Sequence, residues 1–236
     1  MPKGIFVTGT DTEVGKTYFS CLILRHLRSK GIDVGAMKPV ETGCEAVDEA
    51  SGEESSPEAV PPGGAHLAPA DAAALIEAAG GGDDLSLVAP CRYETPVAPM
   101  VAAEKEGRGV DLDEIMRCYR QLSSDHSFML VEGAGGLLVP VRPDYLMVDL
   151  AFDMNLPVVV VAVSRLGVIN HTLMTIEGIR NRGLDVAGIV LNNIDSAKND
   201  AKRTNAEVLK RLVPEPVFEL AYGATEKDLT WIEEML

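Results

Sequence analysis

The sequence contains no C-x-x-C pair, and its four cysteines, Cys21, Cys44, Cys91 and Cys118, are widely separated. Neither a zinc site nor a disulfide framework is suggested by that spacing. His26, His66, His126 and His171 likewise lack metal-ligand spacing. No apolar run approaches the ~20 residues a membrane span needs; the longest, Leu156 to Val163, has the length of a strand. No basic region leads into an apolar one near Met1, so no secretory signal is read and the cytoplasm is the default location. Positive charge is also scarce. The formal net charge is −15, and no Lys or Arg occurs between Lys38 and Arg92, an interval that holds eleven Asp and Glu. Nucleic acid and anionic membranes both demand a basic face, so neither is expected as a partner.

What is present fits one folded unit. With 236 residues, 46% hydrophobic and 24% charged, the chain is expected to form a single α/β domain spanning 1–236. The acidic interval includes a stretch rich in Glu, Ser, Pro and Gly, at about 44–69, with Pro57, Pro61, Pro62, Gly63 and Gly64 close together. Its apolar content is too low for a packed element, and it reads as a loop insert.

Near the N-terminus an apolar strand, about Lys3 to Thr8, runs into Gly9-Thr10-Asp11-Thr12-Glu13-Val14-Gly15-Lys16-Thr17, and Lys16 to Lys30 then has helical periodicity. Strand, turn ending in Gly-Lys-Thr, and helix make a phosphate-binding loop. Backbone N–H groups at a helix start converge on one point, and the helix dipole favours an anion there. Lys16 would add charge at the outer phosphates, and the Thr17 hydroxyl would be a magnesium ligand. Five residues rather than the usual four separate Gly9 from Gly15.

Further along, Val34 to Val40 reads as a strand carrying Lys38 near its end, and Pro69-Ala70-Asp71 opens a helix to Ala79. Pro90 to Met100 reads as extended, Leu112 to Ser123 as helix, and Phe128 to Val131 as a buried strand entering a glycine-rich turn, Glu132-Gly133-Ala134-Gly135-Gly136. A carboxylate there suits a metal beside a phosphate, because the glycines allow close backbone approach. A short helix near Asp144 to Asp153, the β-branched strand Pro157 to Val163, a helix from about Val168 to Arg182, and the strand Ala187 to Leu191 follow. Strands alternating with helices give a mostly parallel sheet whose ligands bind at the strands' carboxyl ends. Lys16, Lys38, Glu132, Arg165 and Asn192 all fall at those ends.

Four segments together resemble dethiobiotin synthetase: Phe6 to Thr17, Lys38-Pro39-Val40, Val131 to Gly136, and Leu166-Gly167-Val168-Ile169-Asn170-His171. The five-residue spacing is itself a feature of that family, and the resemblance runs from the N-terminus to about Gly223. It implies a P-loop NTPase-like α/β fold, with a mostly parallel central sheet and helices on both faces. It also implies a homodimeric, magnesium-dependent (Mg2+) enzyme that joins 7,8-diaminononanoate and CO2 with hydrolysis of ATP. Glu13, Val14, Gly15, Lys16, Thr17 and Tyr18 would wrap the phosphates, with Glu132, Gly133, Ala134 and Gly135 alongside. Asn192 and Asn193 would read adenine, with Ala221, Tyr222 and Gly223 where the family tends to carry a proline beside the base. Lys38 and Lys16 would be catalytic. Thr12 and Thr42 would meet the diamine, and Gly167, Val168, Ile169 and Asn170 would bind its carboxylate from the partner subunit. Thr17, Asp71 and Glu132 would hold the metal, with Asp48 and Glu58 as competitors for the place of Asp71. Two rivals are an amidoligase of the cobyrinate type, for whose glutaminase domain there is no room, and a membrane-associated ATPase switch. The acidic tail Glu226 to Leu236 argues against the switch.

Overall fold

A computed structural model describes residues 4–46 and 67–235. The chain runs β1 (Gly4–Gly9), α1 (Lys16–Ser29), β2 (Val34–Met37), β3 (Val40–Thr42), β4 (Glu45–Ala46), β5 (Leu67–Ala68), α2 (Ala70–Ala79), α3 (Leu85–Val88), β6 (Cys91–Tyr93), α4 (Pro99–Lys105) and α5 (Leu112–Asp125). It continues through β7 (Phe128–Gly136), β8 (Pro140–Arg142), β9 (Tyr145–Leu146), α6 (Met147–Asp153), β10 (Val158–Val163), α7 (Val168–Asn181), β11 (Val186–Asn192), α8 (Asp200–Leu212) and β12 (Val217–Leu220). Six strands form one sheet in the order β12-β11-β10-β1-β7-β2, and every adjacent pair is parallel.

Burial on both faces explains why the central strands are unbroken apolar runs. Alternate side chains go to opposite layers. Phe6, Val131, Val158 and Val160 pack with α5, α6, α7 and α8. Ile5, Val7, Leu130, Val159 and Val161 pack with α1 and with Leu229, Ile232 and Met235 near the C-terminus. From β1 the chain first moves to one side, to β2 and β7, and then crosses to β10 on the other. This reversal opens a crevice at the carboxyl end of β1, which is where an open α/β sheet takes its ligand.

Three expectations are corrected. The strand Val34 to Val40 is two strands, because Pro39 has no N–H to pair and the Lys38 N–H bonds to Val88 O at 2.8 Å. Beyond that break β3 pairs with β6 in a separate two-stranded sheet, so Pro90 to Met100 is not simply extended. Glu132 to Gly136 is not a turn but the end of β7, with Val7 opposite Glu132 and Gly9 opposite Gly136 across a register shift. A Cβ at Gly133 would fit tightly there, 3.0 Å from the Phe6 ring. The helices α3, α4 and α8 and the strand β12 had no counterpart in the sequence reading. Most of the acidic insert, including Asp48 and Glu58, lies outside the described residues. Its flanks do not: Glu45 pairs with Ala68 and Ala46 with Leu67 in an antiparallel stem.

The C-terminal segment is packed down in two short 3-10 turns, Glu226–Asp228 and Ile232–Glu234. Trp231 stacks on Phe218 at 4.2 Å and faces Phe19 of α1 at 6.3 Å. No helix among the described residues is long and apolar enough to cross a membrane.

Candidate active site

Between β1 and α1 the extra residue of the loop is absorbed by backbone conformation: Glu13 adopts φ 58° and Gly15 φ 88°. Gly15 is the N-cap of α1 and makes no side-chain capping bond. The first N–H groups of α1 therefore have no side-chain acceptor, unlike those of α5 and α8, which Asp111 and Asn199 cap. Asn192, buried at the end of β11, braces this loop by donating its Nδ2 to Val14 O at 2.9 Å.

The loop opens on a cavity of about 310 Å³ lined by Thr12, Glu13, Gly15, Lys16, Thr17, Lys38, Glu41, Thr42, Asp71, Ala134 and Gly135. Lys38, at the end of β2, is buried and donates to Glu132 Oε1 at 2.6 Å and Asp71 Oδ2 at 2.7 Å. Thr17 Oγ1 donates to the same Glu132 oxygen at 2.8 Å. Burial opposes charge on Lys38, but the Glu132 and Asp71 carboxylates outweigh it and hold the ammonium well above the ordinary lysine range. Asp71 is pushed up by burial and pulled further down by Lys38, so its carboxyl ends below its usual range. Lys16 rests 3.2 Å from Asp11 O. Burial first, and the like charge of Lys38 second, lower it to about 8.

The residues fit a magnesium ion. Glu132 is fully buried and its Oε2 has no hydrogen-bond partner, which is costly unless something compensates the charge. Two carboxylates and one hydroxyl fall short of a self-sufficient cage, and no group of three or more His, Cys, Asp or Glu suited to a metal occurs among the described residues. Magnesium retains waters and takes phosphate oxygens, so a partial set of protein donors suits it.

Several residues singled out from sequence lie elsewhere. Val14 and Gly133 are buried behind the cavity. Tyr18 points away from it, its hydroxyl donating to Ala224 O. Asn193, Ala221 and Tyr222 share a second concavity with Lys198 and Arg203, and Gly223 follows at φ 72°. Gly167, Val168, Ile169 and Asn170 open α7 without lining the cavity, and Gly167, at φ 93°, leaves that helix start uncapped by any side chain. Arg165 is exposed and sits 3.6 Å from Asp11.

Two buried charges were missed. Glu41 accepts bonds from the N–H groups of Asp71 and Ala72, and burial pushes its carboxyl up. Arg92 bonds Ala89 O and Leu67 O. For Glu41, in the three-residue strand Val40–Thr42, residue type alone carried no signal of these bonds. Arg92 likewise had none.

A family profile described as an AAA domain matches residues 3–218. The chain is 40% identical to an ATP-dependent dethiobiotin synthetase of Thermodesulfovibrio yellowstonii, over 96% of this chain and 91% of that protein. It is 38% identical to one of Akkermansia muciniphila over 99% of both, and 39% identical to one of Methanocaldococcus jannaschii over 80% and 79%. Among solved structures, the signal recognition particle receptor of Elizabethkingia anophelis superposes with a TM-score of 0.50 at 14% identity. All of this chain is covered but only 65% of the receptor. That likeness concerns the fold alone.

Proposed function

The chain belongs to the ATP-dependent dethiobiotin synthetase family, and from that membership we propose how its residues close the ureido ring of dethiobiotin from 7,8-diaminononanoate and CO2. The observation that carries the reading is Lys38, clamped as an ammonium between Glu132 and Asp71 at the mouth of the phosphate loop.

One amine of the diamine adds to CO2 and loses a proton, giving a carbamate. A carbamate oxygen then attacks the γ-phosphorus as the bond to ADP breaks. The second amine attacks the carbamoyl carbon, the bond to phosphate oxygen breaks, and the ring closes. Phosphoryl transfer of this kind needs positioning and charge neutralisation rather than covalent help. Lys38 has three N–H donors and uses two on its carboxylates; the third is available to the carbamate and the γ-phosphate. Lys16 exchanges Asp11 O for a phosphate oxygen, and bound phosphate restores the charge that burial weakens. The N–H groups from Glu13 to Tyr18 wrap the phosphates. Thr17, Asp71 and Glu132 hold a magnesium ion, which would neutralise phosphate charge. Thr12 and Thr42 orient the amines, and Asn192 and Asn193 with Ala221 to Gly223 form the base side.

The reading includes a homodimer in which the start of α7, Gly167 to Asn170, supplies the diamine carboxylate site to the partner subunit. The chain works as a single domain. An ATP-dependent reaction and four free, buried cysteines suit the cytoplasm.

Lys38→Ala tests the central role. Turnover, followed as ADP release that depends on both diamine and bicarbonate, is expected to fall about 10²–10³-fold with ATP affinity nearly intact. Turnover equal to the parent's would remove Lys38 from the mechanism.

A further inference from the structure

We propose that Glu41 is a positioning residue that sets Asp71 against Lys38; the proposal rests on the reading of Asp71 as a site residue given above. Helix α2 begins without a local cap. Its N-cap is Pro69, whose side chain makes no capping bond. The leading N–H groups of a helix cost free energy if they are buried without acceptors. Here the acceptor comes from another element: Glu41 Oε1 receives the Asp71 N–H at 2.9 Å and Oε2 receives the Ala72 N–H at 3.0 Å. Glu41 is 6% exposed and Ala72 is 0% exposed, so water does not substitute for the bond to Ala72.

Two consequences follow from which N–H groups are held. Asp71 carries both the captured amide and the carboxylate that meets Lys38 at 2.7 Å, so Glu41 fixes the backbone from which that carboxylate projects. The Asp71 side chain is 40% exposed whereas that of Lys38 is 4% exposed; of the two partners, Asp71 is the one free to leave. Glu41 also stands next to Thr42 on β3, and both line the cavity. One short strand thereby ties the proposed diamine hydroxyl to the helix that bears the carboxylate. A negative group at this helix start is favoured by the dipole, and it occupies N–H groups that would otherwise attract the anionic carbamate or phosphate away from Lys38.

Because both carboxylate oxygens accept, the isosteric amide cannot replace them: Glu41→Gln turns an NH2 group toward an N–H. Supporting groups of this kind typically cost 10–100-fold when removed. For Glu41→Gln we expect turnover to fall by about that factor, with the KM for ATP little changed because, among the described residues, no hydrogen bond to Glu41 comes from the phosphate loop. Binding of Mn2+ in the presence of ADP, followed by electron paramagnetic resonance, should weaken in parallel. In amide NMR spectra the Asp71 and Ala72 protons should move upfield. Asp71→Asn separates this proposal from the reading beneath it. If Asp71→Asn is impaired and Glu41→Gln/Asp71→Asn is no worse, Glu41 acts through Asp71. If Asp71→Asn is impaired while Glu41→Gln matches the parent, or if the two losses multiply, the positioning role is overturned although Asp71 stands. Parent-like turnover in Asp71→Asn overturns the underlying reading and this proposal with it. Should Glu41→Gln fail to fold, Glu41→Asp keeps the charge one methylene short and should lose activity to a lesser degree; unchanged activity and amide shifts there refute the proposal.

Discussion

Replacing Lys38 by Met keeps most of the side chain's volume and removes its charge, and the structure says which neighbour suffers. Asp71, with a side chain 40% exposed, can be rehydrated, so its lost ion pair counts for little. Glu132 cannot: it is fully buried, and its second oxygen already lacks a partner. Removing one member of a buried pair typically costs about 3–5 kcal/mol. Midpoints of domains this size shift about 2–4 °C per kcal/mol, so Lys38→Met should melt roughly 6–20 °C below the parent in the absence of nucleotide and magnesium. Adding Glu132→Gln removes the stranded charge while its carbonyl oxygen still accepts from Thr17. Lys38→Met/Glu132→Gln should therefore recover most of the loss despite carrying one more substitution. Thermal unfolding followed by circular dichroism, with denaturant titration as a check on reversibility, measures both. A single mutant within about 2 °C of the parent, or a double mutant no more stable than the single, would refute the claim that Lys38 neutralises Glu132.

Exchanging 47–66 for Asn-Gly should join the β4–β5 stem as a tight hairpin, leaving melting temperature and turnover near the parent's; a collapse of diamine binding would assign the insert to the substrate. His126 bonds Asp33 at 2.9 Å and Asp83 at 3.0 Å. Burial disfavours its charge, but the two carboxylates win and raise its pKa, while the bond from His126 lowers that of Asp33. The clamp's stability is thus fully present below the unfolded histidine value of about 6.5 and is lost as pH rises through the higher folded value. His126→Asn should lag the parent most near pH 5–6 in denaturant titrations and least at alkaline pH; a pH-independent gap would count against it. Lys16→Ala and Gly167→Pro, the latter incompatible with φ 93°, should each be inactive. Mixed one to one with subunit exchange, they should regain about a quarter of the sites, and no recovery would confine the carboxylate site to one chain.

The parts legible in the sequence were those with a local signature. β1, α1 and β10 announce themselves by unbroken apolar runs and by Gly15-Lys16-Thr17, and the carboxyl ends of parallel strands bring Lys16, Lys38 and Glu132 together without further information. What escaped depended on distant backbone. The break at Lys38-Pro39 is fixed by Val88 O, fifty residues on in the chain. Gly133 packs on Phe6 and Met147, and β7 continues to Gly136 across a register shift with Gly135 at φ 64°, although glycines alone read as a turn. Glu41 acts on two amide groups, which no residue type reveals. Asn192, besides its proposed place on the base side, donates to Val14 O, a partner visible only once β11 is set beside the loop.

The segment after β12 closes over α1. The Tyr18 hydroxyl bonds Ala224 O, His26 Nδ1 lies 2.8 Å from Glu226 O, and Leu229, Ile232 and Met235 complete the layer against Phe19, Ile23 and Leu27. On the ribosome this order matters. The helix that follows the phosphate loop emerges well before the residues that cover its outer face. Until they arrive, α1 presents bare apolar surface to solvent, the condition under which nascent chains aggregate or recruit chaperones. A ligand that binds only the folded phosphate loop would draw the chain toward its native state once that cover is in place.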